Sequence, residues 1–95
     1  MRFERKVTIQ NKTGLHARPA ALFVQIANKY DSEITVEKDG ESVNGKSIMG
    51  ILMLAAEKGS VVIIKAYGSD ARQAVEELMV LLSKNEEDQF GGAIK

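Results

Sequence analysis

The sequence predicts one α+β domain, a two-layer open-faced β-sandwich in which three helices cover one face of a four-stranded antiparallel sheet. The first observation behind this class is a hydrophobic period that switches between two and about 3.6, in the order β-α-β-β-α-β-α. The second is size, because 95 residues with 44% apolar content can build only one modest core. Short strands and helices in so small a domain pack as two layers.

The first strand and the first helix are predicted from a change of period near residue 14. Residues 3–9 alternate between two faces, which is typical of a half-buried strand. One of these faces is formed by Phe3, Arg5, Val7 and Ile9. From residue 17 to about residue 29 the apolar residues recur at intervals of three and four, which predicts an amphipathic helix.

A hairpin and a second helix are predicted next. The Asp-Gly pair at 39–40 is a preferred two-residue turn, so we expect it to join a strand at 33–37 to a short strand at 41–43. Ser47 then precedes an almost continuous apolar stretch at 48–56. This pattern predicts a short helix with Ser47 as its N-cap.

The last strand and the last helix complete the predicted order. Four successive β-branched residues at 61–64 are typical of a strand that is buried on both faces or central in its sheet. Asp70 followed by Gln73 resembles a capping box, and apolar residues at helical spacing follow it. The domain therefore covers residues 1–85, and we expect 86–95, acidic and then rich in glycine, to be a flexible C-terminal tail.

Composition excludes several classes of function. The charges of thirteen basic and thirteen acidic side chains cancel, so the chain lacks the net positive charge that is typical of proteins that bind nucleic acid or an anionic membrane. No apolar run approaches 20 residues and the start of the chain lacks a signal-peptide core, so we expect a cytoplasmic protein without membrane insertion. With no cysteine and one histidine, disulfides, thiol catalysis and transition-metal sites are not expected. No metal or other cofactor is implied.

The candidate functional residue is His16, the only histidine of the chain, within the stretch Gly-Leu-His-Ala-Arg-Pro-Ala at 14–20. Pro19 lacks an N–H group and has a fixed φ, so it suits the first turn of a helix and predicts His16 as the N-cap. A lone histidine is more often a surface or capping residue than a functional one. Its position favours function here, because a helix N-terminus offers free N–H groups and a partial positive charge, and an imidazole there could carry a phosphoryl group.

The residues after His16 supply groups that suit a phosphate. The backbone N–H groups of Ala17 and Arg18 are the donors nearest the ring, because Pro19 has none. Arg18 adds a planar fork of N–H groups that matches phosphate oxygens. We therefore expect His16 to be the phosphoryl acceptor, with Ala17 and Arg18 binding the phosphate.

The second helix carries more apolar side chains than a domain of this size can bury on all sides. Some of them must face water, and an exposed apolar patch commonly marks a surface for protein partners, especially where it contains methionine. The alternative is that Met49 or Leu52 fills a gap in the core. The predicted partner-binding residues are Ala20, Ile48, Met49 and Leu52.

Residues 40–47 match the phosphate-loop pattern G-x-x-x-x-G-K-[ST] in full. A nucleotide-binding enzyme of this kind needs a parallel sheet and a second carboxylate at a strand end to hold magnesium. The only later apolar strand ends in Lys65, and the Asp-Gly turn already accounts for Gly40. The sequence therefore disfavours the nucleotide-binding alternative.

Two motifs together resemble the HPr family, the histidine-containing phosphocarriers of the bacterial phosphoenolpyruvate-dependent sugar phosphotransferase system. They are the stretch at 14–20 and, about thirty residues later, Asn-Gly-Lys-Ser-Ile-Met-Gly at 44–50. The resemblance covers about residues 1–85, and both motifs at the family's spacing are highly specific.

The resemblance implies a role for each motif. His16 would accept a phosphoryl group on Nδ1 from phosphorylated enzyme I and pass it to IIA components of sugar permeases, with Arg18 supporting transfer. The second helix would form part of the docking surface for both partners. A protein of this family is a carrier rather than an enzyme and needs no cofactor, and we expect a monomer. The sequence does not separate the sugar system from its nitrogen-related counterpart.

Ser47 has two interpretations. As an N-cap it satisfies a backbone donor, which alone would account for a serine at this position. The resemblance adds regulatory phosphorylation by an ATP-dependent serine kinase/phosphatase, after which the protein would bind a catabolite-control transcription regulator. The remaining alternative is a purely regulatory relative that carries no phosphate, and His16 weighs against it because such relatives lack the histidine.

Overall fold

The computed structural model describes residues 1–84 and has the predicted order of elements. The strands are β1 (Arg2–Thr8), β2 (Glu33–Lys38), β3 (Glu41–Asn44) and β4 (Val61–Tyr67). The helices are α1 (Ala17–Ala27), α2 (Ile48–Leu54) and α3 (Ala71–Ser83). The stretch 86–95, predicted as a flexible tail, lies outside the described residues. None of the helices within 1–84 has the length and apolar character that a membrane crossing requires.

The four strands form one antiparallel sheet in the order β1-β4-β2-β3. The predicted central position of β4 is confirmed, since it pairs with β1 on one side and β2 on the other. The other predicted alternative, a strand that is buried on both faces, is wrong. Val62 and Ile64 are buried, whereas Ile63 is only partly buried. The helices cover one face of the sheet, so β4 alternates between core and solvent and continues to Tyr67.

The core lies between the covered face of the sheet and the three helices. Phe23 of α1 is its largest fully buried side chain, and Ala20 and Ala27 lie beside it on the same stripe of the helix. Burying a side chain such as phenylalanine stabilises a fold by about 1.5–3 kcal/mol. This stripe therefore sets which face of α1 lies on the sheet, and it leaves the helix N-terminus at the surface.

Two helices end earlier than predicted. Asn28 ends α1, and its Nδ2 donates to the Val24 carbonyl at 2.9 Å, which closes the last turn. Ala55 ends α2 two residues before the predicted boundary, because its backbone adopts a left-handed φ of 53°. Asparagine is, after glycine, the residue that most often marks a helix C-terminus, so Asn28 was a signal that the predicted boundary of α1 did not use, whereas Ala55 gave no signal for the end of α2.

The predicted capping box at the start of α3 is wrong. Asp70 precedes the helix, but its side chain makes no capping hydrogen bond. Its carboxylate instead accepts hydrogen bonds from the Ser32 hydroxyl and from the backbone N–H groups of Asp31 and Ser32, each N–H at 3.0 Å. These bonds, the Ser32 hydroxyl first, hold the pKa of the Asp70 carboxyl below its usual value. Asp70 thus ties α3 to the loop between α1 and β2.

Candidate functional site

The loop between β1 and α1 holds His16 through the residues that precede it. Leu15 is completely buried, and its N–H donates to the Ala56 carbonyl at 2.8 Å. Gly14 has a φ of +72°, and a Cβ added there would come within 2.5 Å of the same carbonyl oxygen. Only glycine tolerates both conditions, so the loop can pack closely against the end of α2. His16 itself is exposed at the surface next to this fixed segment.

His16 is the N-cap residue of α1, as predicted. Its backbone is extended, with φ −129° and ψ 163°, and its side chain makes no capping hydrogen bond. Pro19 occupies the third helical position and is buried, so the predicted place of proline in the first turn is also confirmed. The backbone N–H groups of Ala17 and Arg18 therefore lie between the histidine and a residue that has no N–H, without partners inside the helix.

Ala17 has a left-handed backbone with a φ of 50°. This conformation costs a residue with a Cβ about 1–2 kcal/mol, because the Cβ approaches the following carbonyl oxygen. Outliers of this kind are concentrated at functional sites, where the surrounding structure holds them in place. Sequence reasoning missed the feature, since alanine gives no signal for positive φ.

Arg18 extends from the first turn of α1 and is exposed. Across residues 1–84 the structure shows no hydrogen bond or ion pair that holds its guanidinium, in contrast to Arg2 and Arg72, which pair with Glu4 and Glu76. The guanidinium can therefore turn toward an anion at the helix N-terminus without breaking an existing contact. This is the freedom that the predicted phosphate-binding role requires.

The exposed side of α2 carries the predicted excess of apolar side chains. Ile48 is 40% exposed, Met49 65% and Met53 74%, while Leu52 is partly buried. We call Ile48, Met49, Leu52 and Met53 the α2 apolar surface. Met53 was not among the predicted partner-binding residues, although its spacing of four from Met49 places it on the same face.

Ala20 does not belong to this surface. It was predicted to bind partners, but it has no exposed area and lies on the buried stripe of α1 against the sheet. The prediction took Ala20 as part of the motif around His16 without separating the two faces of the helix. A contact with a docked protein would require its side chain to leave the core.

Ser47 is the N-cap residue of α2, as predicted. Its Oγ accepts a hydrogen bond from the Gly50 N–H at 3.1 Å, and the side chain is partly buried. The capping role alone is worth about 1 kcal/mol. The predicted role as a phosphorylation site stays a prediction.

Helices α1 and α2 run antiparallel, which separates His16 from Ser47. At one end, the Leu15 N–H binds the carbonyl of Ala56, just after α2. At the other end, Asn28 Nδ2 donates to the carbonyl of Lys46, just before α2, at 3.3 Å. His16 therefore lies near the end of α2 and Ser47 near its start, roughly 16 Å apart for an 11-residue helix. The α2 apolar surface lies between them.

The stretch that matches a phosphate loop has no phosphate-binding geometry. Within the described part of the chain, its strand is an edge strand of an antiparallel sheet. Lys46 Nζ donates to the Tyr30 carbonyl at 2.7 Å, and the Lys46 N–H donates to Asn44 Oδ1 at 2.9 Å. The lysine of the motif thus holds the turn against the end of α1. As for metals, residues 1–84 contain no group of three potential ligand side chains arranged to hold an ion.

The sequence is similar to proteins of one family. A family model described as the PTS HPr component phosphorylation site matches residues 3–84. The HPr-like protein Crh of Halalkalibacterium halodurans is 51% identical over 81 residues, which covers 85% of this chain and 96% of that protein. The HPr-like protein Crh of Bacillus subtilis is 52% identical over 75 residues, which covers 79% of this chain and 88% of that protein.

Solved structures agree with the sequence comparison. The phosphocarrier protein HPr from Bacillus anthracis is 49% identical with a TM-score of 0.83, over 85% of this chain and 96% of that one. HPr from Thermoanaerobacter tengcongensis is 52% identical with a TM-score of 0.84, over 94% of this chain and 96% of that one. The open-faced sandwich and the match across both predicted motifs show that this chain belongs to the HPr family of phosphocarriers in the phosphotransferase system.

Proposed function

We propose that this protein accepts a phosphoryl group on His16 Nδ1 from phosphorylated enzyme I and passes it to IIA components of sugar permeases. The observation that carries the proposal is the exposed His16 at the N-cap of α1, where its ring makes no capping hydrogen bond and two helix N–H groups follow. In the first step a P–N bond forms at His16 as the bond to enzyme I breaks. In the second step the same phosphoryl group leaves His16 for the IIA acceptor.

The groups around His16 support this transfer by binding charge. The N–H groups of Ala17 and Arg18 lie at the positive end of the α1 dipole, which stabilises a dianionic phosphoryl group. The Arg18 guanidinium adds charge-assisted hydrogen bonds to its oxygens. We infer that this chain supplies no general acid, general base or metal ion to the transfer reaction. We therefore propose that it acts as a carrier between partner enzymes and is not itself an enzyme.

The α2 apolar surface is the proposed docking site for enzyme I and the IIA components. Ile48, Met49 and Met53 are exposed, and Leu52 is partly buried beside them. Methionine adapts its shape to different partners, which suits a surface that must accept two of them in turn. Because the surface ends next to His16, a protein docked there reaches the histidine.

Ser47 is the proposed site of regulation by an ATP-dependent serine kinase/phosphatase, and the modified protein would bind a catabolite-control transcription regulator. A phosphate at the start of α2 is favoured by the helix dipole, so the fold should survive. It lies roughly 16 Å from His16 by the length of α1, beyond the screening length of about 8 Å in physiological salt. Inhibition would therefore act on docking, through about two negative charges beside the α2 apolar surface.

A regulatory protein that carries no phosphate is the second candidate. Its regulatory part is favoured by the two relatives named HPr-like protein Crh, each about half identical to this chain, because Crh of Bacillus subtilis is described as a catabolite repression HPr. His16 is the residue that argues against it. Incubation with phosphoenolpyruvate and enzyme I, followed by mass spectrometry, separates the candidates. An acid-labile gain of one phosphoryl group that is absent from His16→Ala supports the carrier, and no gain supports the regulatory protein.

The expected monomer conflicts with dimers among the similar structures, which include Crh of Bacillus subtilis as well as an HPr. A dimer of HPr from Thermoanaerobacter tengcongensis, 52% identical, matches with a TM-score of 0.69 over 88% of this chain and 92% of that one. We propose that one copy is sufficient for transfer, since His16, Arg18 and the α2 apolar surface all come from one chain. Light scattering at the protein concentrations used for the transfer assay tests this, and a transfer rate per chain that rises with the dimer fraction would contradict it.

A further inference from the structure

Asn11 is a buried polar residue at the start of the loop that leads to His16. Together with Ser32 it is one of two polar side chains that the structure buries within residues 1–84. Its Nδ2 donates to the carbonyls of Leu81, at 3.3 Å, and Lys84, at 2.9 Å. Carbonyls in the last turn of a helix have no partner inside the helix. Asn11 therefore caps the C-terminal end of α3 from another part of the chain.

The backbone around Asn11 is fixed to the same helix end and to the loop. The N–H of Gln10 donates to the Leu82 carbonyl at 2.9 Å, and the Asn11 carbonyl accepts the Gly14 N–H at 3.0 Å. At the other end of the loop, the Leu15 N–H binds the carbonyl of Ala56. The five residues before His16 are thus held at both ends, by α3 through Asn11 and by the end of α2 through Leu15.

The buried side chain of Asn11 also has a cost in folding stability. Its Oδ1 is buried and has no hydrogen-bond partner, and an unsatisfied buried acceptor destabilises a fold. An apolar side chain would avoid that cost but would leave the α3 carbonyls without a donor. The amide is therefore explained by the contacts of its Nδ2, which link the loop to α3.

From this geometry we infer that Asn11 is a positioning residue, which holds the loop so that His16 meets its phosphoryl donor correctly at the start of α1. The inference rests on the proposed function and deepens it. A misplacement of about 1 Å can slow a transfer reaction by two orders of magnitude. The α2 apolar surface belongs to a different element, so loss of Asn11 should affect the transfer step more than docking.

The experiment compares Asn11→Ala with Ser32→Ala in transfer from phosphorylated enzyme I. Ser32 is a matched control, because its buried hydroxyl ties a different loop to Asp70 at the opposite end of α3. We expect Asn11→Ala to lower kcat about tenfold with little change in KM, and Ser32→Ala to leave both constants nearly unchanged. Equal slowing in both variants, or no slowing in Asn11→Ala, would overturn the inference.

Amide hydrogen exchange tests the same inference without enzyme I. Asn11→Ala should speed exchange at the Gly14 and Leu15 N–H groups, whereas Ser32→Ala should not. Unchanged exchange at both groups in Asn11→Ala would overturn the positioning role. Absence of phosphoryl transfer in the unmodified protein would instead refute the proposed function. The hydrogen-exchange experiment would then decide on its own whether Asn11 holds the loop. If Asn11→Ala does not fold, Asn11→Ser, which keeps one donor, is measured in its place with the same expected directions.

Discussion

Helices α1 and α2 begin in contrasting ways, although both start from an extended N-cap residue. Ser47 uses its own Oγ to bind the N–H of Gly50, the third helical residue of α2. At the corresponding position α1 has Pro19, which offers no N–H, and its N-cap His16 makes no capping bond. The start of α2 has one N–H satisfied by its own N-cap residue, whereas the N-cap residue of α1 satisfies none and leaves donors for a group outside the chain. The difference supports the proposal that a phosphoryl group is bound and released at α1.

The largest expected effect comes from removing the imidazole at the open helix start. His16→Ala should abolish phosphoryl acceptance from enzyme I, because no other histidine exists in the chain. The free energy of unfolding should change by no more than about 0.5 kcal/mol, as for other exposed residues. Mass spectrometry and urea titration measure the two quantities. Residual acid-labile phosphorylation would show that His16 is not the acceptor.

A charge at the satisfied helix start should have the next largest effect. Ser47→Asp should slow transfer from enzyme I about a hundredfold, since like charges at an interface cost several kcal/mol. Asp is also a good N-cap, so circular dichroism should be unchanged. Ser47→Asn is the matched control, because it caps the helix without the charge and should transfer at the normal rate. Loss of the folded signal in Ser47→Asp would mean that unfolding, and not repulsion, inhibits docking.

Arg18→Ala should have a smaller effect at the open helix start. Transfer should slow about tenfold while His16 stays phosphorylatable, because the backbone N–H groups remain and only the contacts of the exposed guanidinium, worth about 1.5 kcal/mol, are lost. Arg18→Lys keeps the positive charge without the planar fork of N–H groups. Its transfer rate should lie between those of the unmodified protein and Arg18→Ala. Unchanged single-turnover kinetics in Arg18→Ala would show that the helix N–H groups suffice.

The smallest effect concerns the strained residue beside the histidine. Ala17→Gly should raise the free energy of unfolding by about 0.5 kcal/mol, because relief of the left-handed φ outweighs the entropy that glycine loses on folding. Ala21→Gly is the control in the regular part of α1, and it should lower the free energy of unfolding by about 1 kcal/mol. Thermal or urea unfolding compares them. A similar loss in both variants would mean that Ala17 is not strained.

Both helix starts were predictable because their signals are local. Pro19 and Ser47 act within three residues of the helix boundary, and the two N-cap predictions are confirmed. The presence of exposed apolar residues on α2 was also predictable, because a two-turn helix in a small domain cannot bury all its sides. Met53 was omitted from the predicted surface even though the same spacing rule includes it.

The features that sequence reasoning missed depend on distant parts of the chain. Asp70 makes its hydrogen bonds with residues 31 and 32, far away in sequence, so a local capping rule misassigned it. Ala20 is buried because Phe23 sets the inner stripe of α1, which a motif cannot reveal. Asn11 likewise finds its partners at the end of α3. Pairings of this kind are decided by tertiary packing.

The antiparallel arrangement of α1 and α2 has a consequence for the order of events. His16 and Ser47 flank the α2 apolar surface, which is only two helical turns long. Under the proposed function, a partner docked on that surface would cover both residues. A kinase at Ser47 and a phosphoryl donor at His16 would then have to bind one after the other, without any change in the conformation of the protein.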